Sequence, residues 1–139
     1  MRLTLEQDYA IRIVYTLCSA DDILSVSELS QKTGVTPLFT QKIMRKLSQS
    51  NIVKSTKGIQ GGYELQKQPE EISLYDIFES INGELNINMC LTSKYECTRP
   101  EVIQNGGECV IKKAISMLNN DIKESLKQIT FKKLLTGGK

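Results

Sequence analysis

The stretch "SVSELSQKTGVTPLFTQKIMRKLSQSN", residues 25 to 51, limits the fold more than any other part of the chain. Ser25 followed three residues later by Glu28 reads as a capping box that opens a short helix, and Gly34 stops it. Thr36 before Pro37 opens a second helix, because threonine supplies the N-cap oxygen and proline loses no hydrogen bond at the first helical position. Leu38, Ile43 and Leu47, with Met44, are expected to form the buried side of this second helix. Two short helices joined across "TGVT" make a helix-turn-helix. Thr40, Gln41, Lys42, Arg45 and Lys46 are then expected on its exposed side, facing a major groove.

The next segment, "NIVKSTKGIQGGYELQK", alternates around a glycine-bearing turn and predicts a hairpin of strands over 52–56 and 63–67, the wing. Lys57 and Gln60 fall near its tip, where a lysine reaches a phosphate or the narrow minor groove. Charge follows the same elements. From 36 to 67, Lys42, Arg45, Lys46, Lys54, Lys57 and Lys67 stand against the single acid Glu64, on a chain of net charge only +2. A basic segment on an otherwise slightly acidic chain is the footprint of a polyanionic partner, most often nucleic acid. The candidate DNA contacts are Thr36, Pro37, Thr40, Gln41, Lys42, Arg45, Lys46, Lys54, Lys57 and Gln60. The competing use of such a domain is protein contact alone, as an interaction module that controls a partner enzyme.

Upstream, "QDYAIRIVYTLC" places Tyr9, Ala10, Ile13, Val14 and Leu17 at helical spacing, and Cys18 continues the stripe as a small buried hydrophobe. Downstream, Ser73 with Asp76 opens another helix that Gly83 closes. From Val110 onward, Ile111, Ile115, Leu118, Ile122, Leu126 and Ile129 recur at steps of three and four, close to a coiled-coil seam. Such a helix spans roughly 28 Å and outreaches a small winged-helix core, so a second subunit is the economical cover. Packing within the same monomer is the alternative.

Between these helices lies "CLTSKYECTRPEVIQNGGEC", with Cys90, Cys97 and Cys109 in polar surroundings. No apolar run is long enough to cross a bilayer and no secretory signal opens the chain, so a cytoplasmic protein with reduced thiols is expected. Clustered thiols in that compartment suit metal ligation or redox chemistry. With no histidine in the chain, the fourth ligand of a metal site is not obvious. A zinc site, a thiol-disulfide switch and a loop without cofactor are the alternatives to an iron-sulfur cluster. No histidine, nucleophile motif or phosphate loop points to an enzyme.

"MRLT" with "DYAIR", "GVTPLFTQKIMRKL", "IVKSTKGIQGGYEL", "ISLYDIFESINGE" and "LKQITFKKLL" together resemble the bacterial winged-helix iron-sulfur transcription regulators that include IscR and NsrR. The resemblance spans nearly the whole chain. It implies a homodimeric repressor on a pseudo-palindromic DNA operator, mainly α with a small β wing. The implied organisation is a winged helix-turn-helix domain with its linking helix over 1–82, a cysteine-bearing loop over 83–109, and a dimerisation helix with the C-terminal segment over 110–139. It also implies that Cys90, Cys97 and Cys109 hold an iron-sulfur cluster, with 4Fe–4S favoured and 2Fe–2S the alternative. The gaps between these cysteines are longer than in the family's usual cluster loops. In some relatives a carboxylate from the partner's first helix completes the site, and the matching residue here is Asp8, with Glu6 nearby in reserve.

Overall fold

The computed structural model describes residues 2–137. Helix α1 (Leu5–Cys18) begins at a full capping box: Thr4 Oγ1 accepts from the Gln7 N–H, and Gln7 Oε1 accepts from the Thr4 N–H. Ala10, Ile13, Val14 and Leu17 form its buried stripe. Helix α2 (Val26–Thr33) starts at Ser25, whose hydroxyl accepts from the Glu28 N–H and donates to the Glu28 carboxylate. The reciprocal bond from the Ser25 N–H, expected of a complete box, is replaced by this side-chain pair. Gly34 ends α2 at φ 75°, a left-handed conformation that glycine adopts without a Cβ penalty.

Helix α3 (Pro37–Gln49) has Thr36 as N-cap and Pro37 in its first turn, as the sequence predicts. Thr40, Ile43, Met44 and Leu47 point into the core. Two expectations are corrected here. Thr40 is fully buried, with its hydroxyl directed at the Val35 carbonyl, whereas Leu38 is 80% exposed. Helical phase is the reason: position 40 precedes Ile43 and Met44 by three and four residues and shares their face, while 38 lies on the opposite side. Phe39 takes the inward place and packs edge-on against Tyr9.

Strands β1 (Val53–Thr56) and β2 (Gly62–Leu65) pair antiparallel with Val53 opposite Leu65 and Thr56 opposite Gly62. The wing is anchored where Leu24 and Tyr63 exchange backbone hydrogen bonds. A Cβ on Gly62 would overlap the Leu24 carbonyl, so this approach demands glycine. Helix α4 (Leu74–Asn82) is capped by Ser73 and Asp76, buries Ile77, Phe78 and Ile81, and ends at Gly83.

Helix α5 (Pro100–Gln104), inside the cysteine loop, has no counterpart in the sequence reading. Helix α6 (Val110–Gln128) is the long helix expected, but its apolar seam divides. Leu126 packs on the winged-helix core and Ile122 is half-buried, whereas Val110, Ile111, Met117 and Leu118 stay exposed. Ile129 lies past the helix end, and its carbonyl accepts from the Leu74 N–H. Helix α7 (Phe131–Leu135) then turns inward, and Phe131 is fully buried in the same core as α1 and α4. A boundary drawn at 110 therefore does not separate the last residues from the winged helix. The chain returns to finish its core.

Candidate functional site

The outward stripe of α3 consists of Leu38, Gln41, Lys42 and Arg45, all exposed, at the spacing of one helix face. Thr36 and Pro37 are exposed at its start, and Lys57 and Gln60 at the wing turn. These elements form the surface expected to meet DNA. Its cations are not equivalent. Lys54 pairs across the hairpin with Glu64 at 3.3 Å, and Lys42 lies 3.7 Å from Glu6 and over the Phe39 ring. Arg45 and Lys57 form no ion pair among the described residues.

Lys46 departs furthest from the expected role. Its ammonium makes a 2.7 Å contact with Glu6 and donates to the Ile81 carbonyl at 3.0 Å. It therefore ties the recognition helix to α1 and to the last turn of α4 rather than reaching for DNA. The same contact engages Glu6, whose side chain is largely buried against α3. Asp8 is half-exposed on α1 and paired with Arg12 at 2.7 Å.

Cys90, Cys97 and Cys109 are brought together on one cavity of about 410 Å³, also lined by Tyr95, Arg99 and Lys112. Neither Asp8 nor Glu6 lines it. Each cysteine is half-buried. Cys90 sits in a 3-10 turn, Met89–Leu91, where its sulfur accepts from the Asn88 amide. Cys109 is the N-cap of α6 and accepts from the Lys112 N–H at 3.3 Å. The Arg99 guanidinium donates to Cys109 at 2.6 Å. The Lys112 N–H, then the Ile111 N–H and Arg99, draw the Cys109 thiol below its ordinary pKa against a smaller opposing effect of burial. Sequence reading missed Arg99. Its signal was a lone cation two residues beyond Cys97, just before the proline that starts α5.

The donors are three thiols and suit soft-metal chemistry. Among the described residues, no three His, Cys, Asp or Glu side chains are gathered closely enough in this conformation to hold a metal ion. The thiols share a cavity with Arg99, and a metal held by Cys109 would take the place of the bond from the Arg99 guanidinium to that sulfur. Cys18 stands apart, packed against the core, and burial raises its thiol from 9.0 to about 11. That matches its reading as an inert hydrophobe.

The start of the loop is fastened to α6. Asn119 of α6 is buried, accepts from the Ile87 N–H at 3.0 Å and donates to the Leu85 carbonyl. Residues 85–87 follow α4 directly, and the α4 end is where Lys46 is held.

A helix-turn-helix with a hairpin wing, a basic outward stripe and a long helix that packs its C-terminal end on the same core defines a winged-helix DNA-binding regulator. The comparisons with known proteins agree. The Rrf2 family model, described as an iron-dependent transcriptional regulator, matches residues 3–137, and the chain belongs to that family. It is 29% identical over 125 residues to a protein assigned as an HTH-type transcriptional regulator of Aquifex aeolicus, covering 90% of this chain and 84% of that one. Protein aau3 of Rhizobium meliloti is 27% identical over 118 residues, covering 84% and 75%. Among solved structures, IscR of T. potens superposes with a TM-score of 0.76 at 20% identity, covering all of this chain and 89% of that one. CymR, the global cysteine regulator of B. subtilis, superposes at 0.72 and 19%, covering 98% and 97%. Likeness at that identity speaks for the fold. The protein is a DNA-binding transcriptional regulator, and its homologues are regulators rather than enzymes. Among the described residues no helix is long and apolar enough to cross a membrane.

Proposed function

We propose that this regulator is a homodimeric repressor whose hold on a pseudo-palindromic operator is set by the state of Cys90, Cys97 and Cys109, with an iron-sulfur cluster as the resident group. The observation that carries the reading is the meeting of the three loop cysteines on one cavity at the N-terminus of α6. Such a cluster, when bound, supplies a centre that reacts with oxidants, oxygen or nitric oxide and is lost or altered by them. The three thiolates would hold it. Asp8 of the partner subunit is the proposed fourth ligand, and it must leave Arg12 to serve.

The protein's own residues supply a route to DNA. The cysteine loop begins at the end of α4, the Ile81 carbonyl there accepts from Lys46, and Lys46 belongs to the recognition helix. A loop that is ordered in one state and relaxed in the other changes the support beneath α3, and through it the affinity for DNA. The exposed upper part of the α6 seam, Val110, Ile111 and Leu118, offers the second subunit an apolar face.

A thiol switch is the second reading, favoured by Arg99, which donates to the Cys109 sulfur on the cavity that Cys97 also lines. In that case the two thiols form a disulfide, releasing two protons and passing two electrons to a peroxide-class oxidant, which leaves as water. Anaerobic purification with iron and sulfide counting, an absorption spectrum and a free-thiol titration separates the two. Iron with matching sulfide and visible absorbance supports the cluster. Colourless, metal-free protein that loses two thiols on mild oxidation supports the switch and overturns the cluster.

A further inference from the structure

The α3 stripe contains one residue that a phosphate-binding surface does not explain. Leu38 keeps 80% of its surface in water in the first turn of the recognition helix, where Phe39 beside it turns inward. A single exposed leucine is common on any protein surface. This one lies in register with Gln41, Lys42 and Arg45, on the face opposite Thr40, Ile43, Met44 and Leu47. Recognition helices present their N-terminal residues to base edges in the major groove. An aliphatic side chain there forms no hydrogen bond, and the groove offers it one apolar feature, the C5-methyl group of thymine.

We propose that Leu38 is a specificity residue that reads a thymine methyl group in each operator half-site. The proposal rests on DNA binding through α3 and goes beyond it by naming the chemical group contacted. Leu38 and Gln41 are three residues apart, so their side chains stand roughly 5 to 6 Å from one another on the helix surface. The thymine that Leu38 reads therefore lies within one or two base pairs of the base that Gln41 reads. Gln41 pairs best with adenine, so each half-site carries a close thymine and adenine at this spot.

The test starts without a defined operator. Duplexes are selected from a random-sequence library with wild-type protein, both as purified anaerobically and after iron chelation. Thymines of the selected duplex are then replaced one at a time by deoxyuridine, which removes only the methyl group. Binding of wild type and Leu38→Ala is compared at one salt concentration. For wild type, one position per half-site should lose about three- to fivefold in affinity on losing its methyl. Leu38→Ala, which is exposed and should keep the wild-type melting temperature, should bind the thymine duplex more weakly and be indifferent to deoxyuridine at that position alone. Leu38→Ala that keeps every deoxyuridine penalty overturns the proposal, as does wild type that shows no penalty anywhere. If wild type enriches no duplex, the proposal fails together with the DNA-binding role of α3, and that outcome is distinct from the other two.

Discussion

Individual residues divide by what already holds them. Lys57 has no ion-pair partner among the described residues and stands at the wing turn, so its charge is available to DNA. Lys57→Ala should weaken binding to all sequences alike and lower the salt dependence by about one unit in the log-log slope, measured by titrating binding across salt concentrations. An unchanged slope would take the wing out of the interface. Thr40 is the contrary case. Its hydroxyl is buried at 3.5 Å from a carbonyl, so Thr40→Val should leave operator preference untouched in a competition assay. Cys18 gives a pH prediction. Its folded pKa of about 11 lies above the ordinary 9.0, so folding favours the neutral thiol. That contribution is fully present below about pH 9 and is lost as pH rises toward 11. Urea midpoints of wild type and Cys18→Ala should therefore converge over that interval, and a constant difference would show that Cys18 does not titrate with unfolding. The inward turn of Cys18 was legible from apolar periodicity. That of Thr40 was equally so in phase, but its hydroxyl suggested a surface role.

At the scale of elements, the helix starts were legible because their chemistry is local: Thr36 with Pro37, and Ser73 with Asp76, satisfy their own backbone donors. The wing was legible to within a residue or two at each strand end. Helix α7 was not, because five residues carry too little periodicity, and the burial of Phe131 depends on tertiary placement against the Ile72 backbone, whose carbonyl accepts from the Phe131 N–H. The part of Lys46 depended likewise on tertiary placement, since Glu6 lies forty residues upstream and Ile81 thirty-five downstream. Its role predicts a separable phenotype. Lys46→Met keeps the aliphatic stem and removes the bonds to Glu6 and Ile81, so it should loosen α3 against α4. Hydrogen exchange at the end of α4 should quicken, and operator affinity should become less responsive to the cysteine loop. A variant that loses affinity but keeps full responsiveness would place Lys46 at the DNA after all. Gly62 serves as a structural control. Gly62→Ala should cost about 1 to 3 kcal/mol by urea denaturation, because the added methyl meets backbone.

For the whole molecule, the sequence made three cysteines conspicuous but not their arrangement. Only the fold shows that Arg99 bonds the Cys109 sulfur and that Cys109 caps the helix on which Val110, Ile111 and Leu118 stay exposed. The proposed dimer, built on that seam, needs no iron, so the chelated protein should still sediment as a dimer at micromolar concentration, while Leu118→Asp should yield monomer. The proposed trans ligation by Asp8 adds a sharper test. Asp8→Ala and Cys97→Ala homodimers should each lack complete sites, whereas the heterodimer of the two should regain about half the wild-type iron. Iron content no higher than in either homodimer would end that part of the account. The central claim, that the cysteine pocket governs the grip of α3 on DNA, is tested most directly by operator affinity before and after iron removal from one anaerobic preparation. The account predicts a change of about tenfold or more in wild type and none in Cys97→Ala. Equal affinities in the two states of the wild-type protein would contradict it.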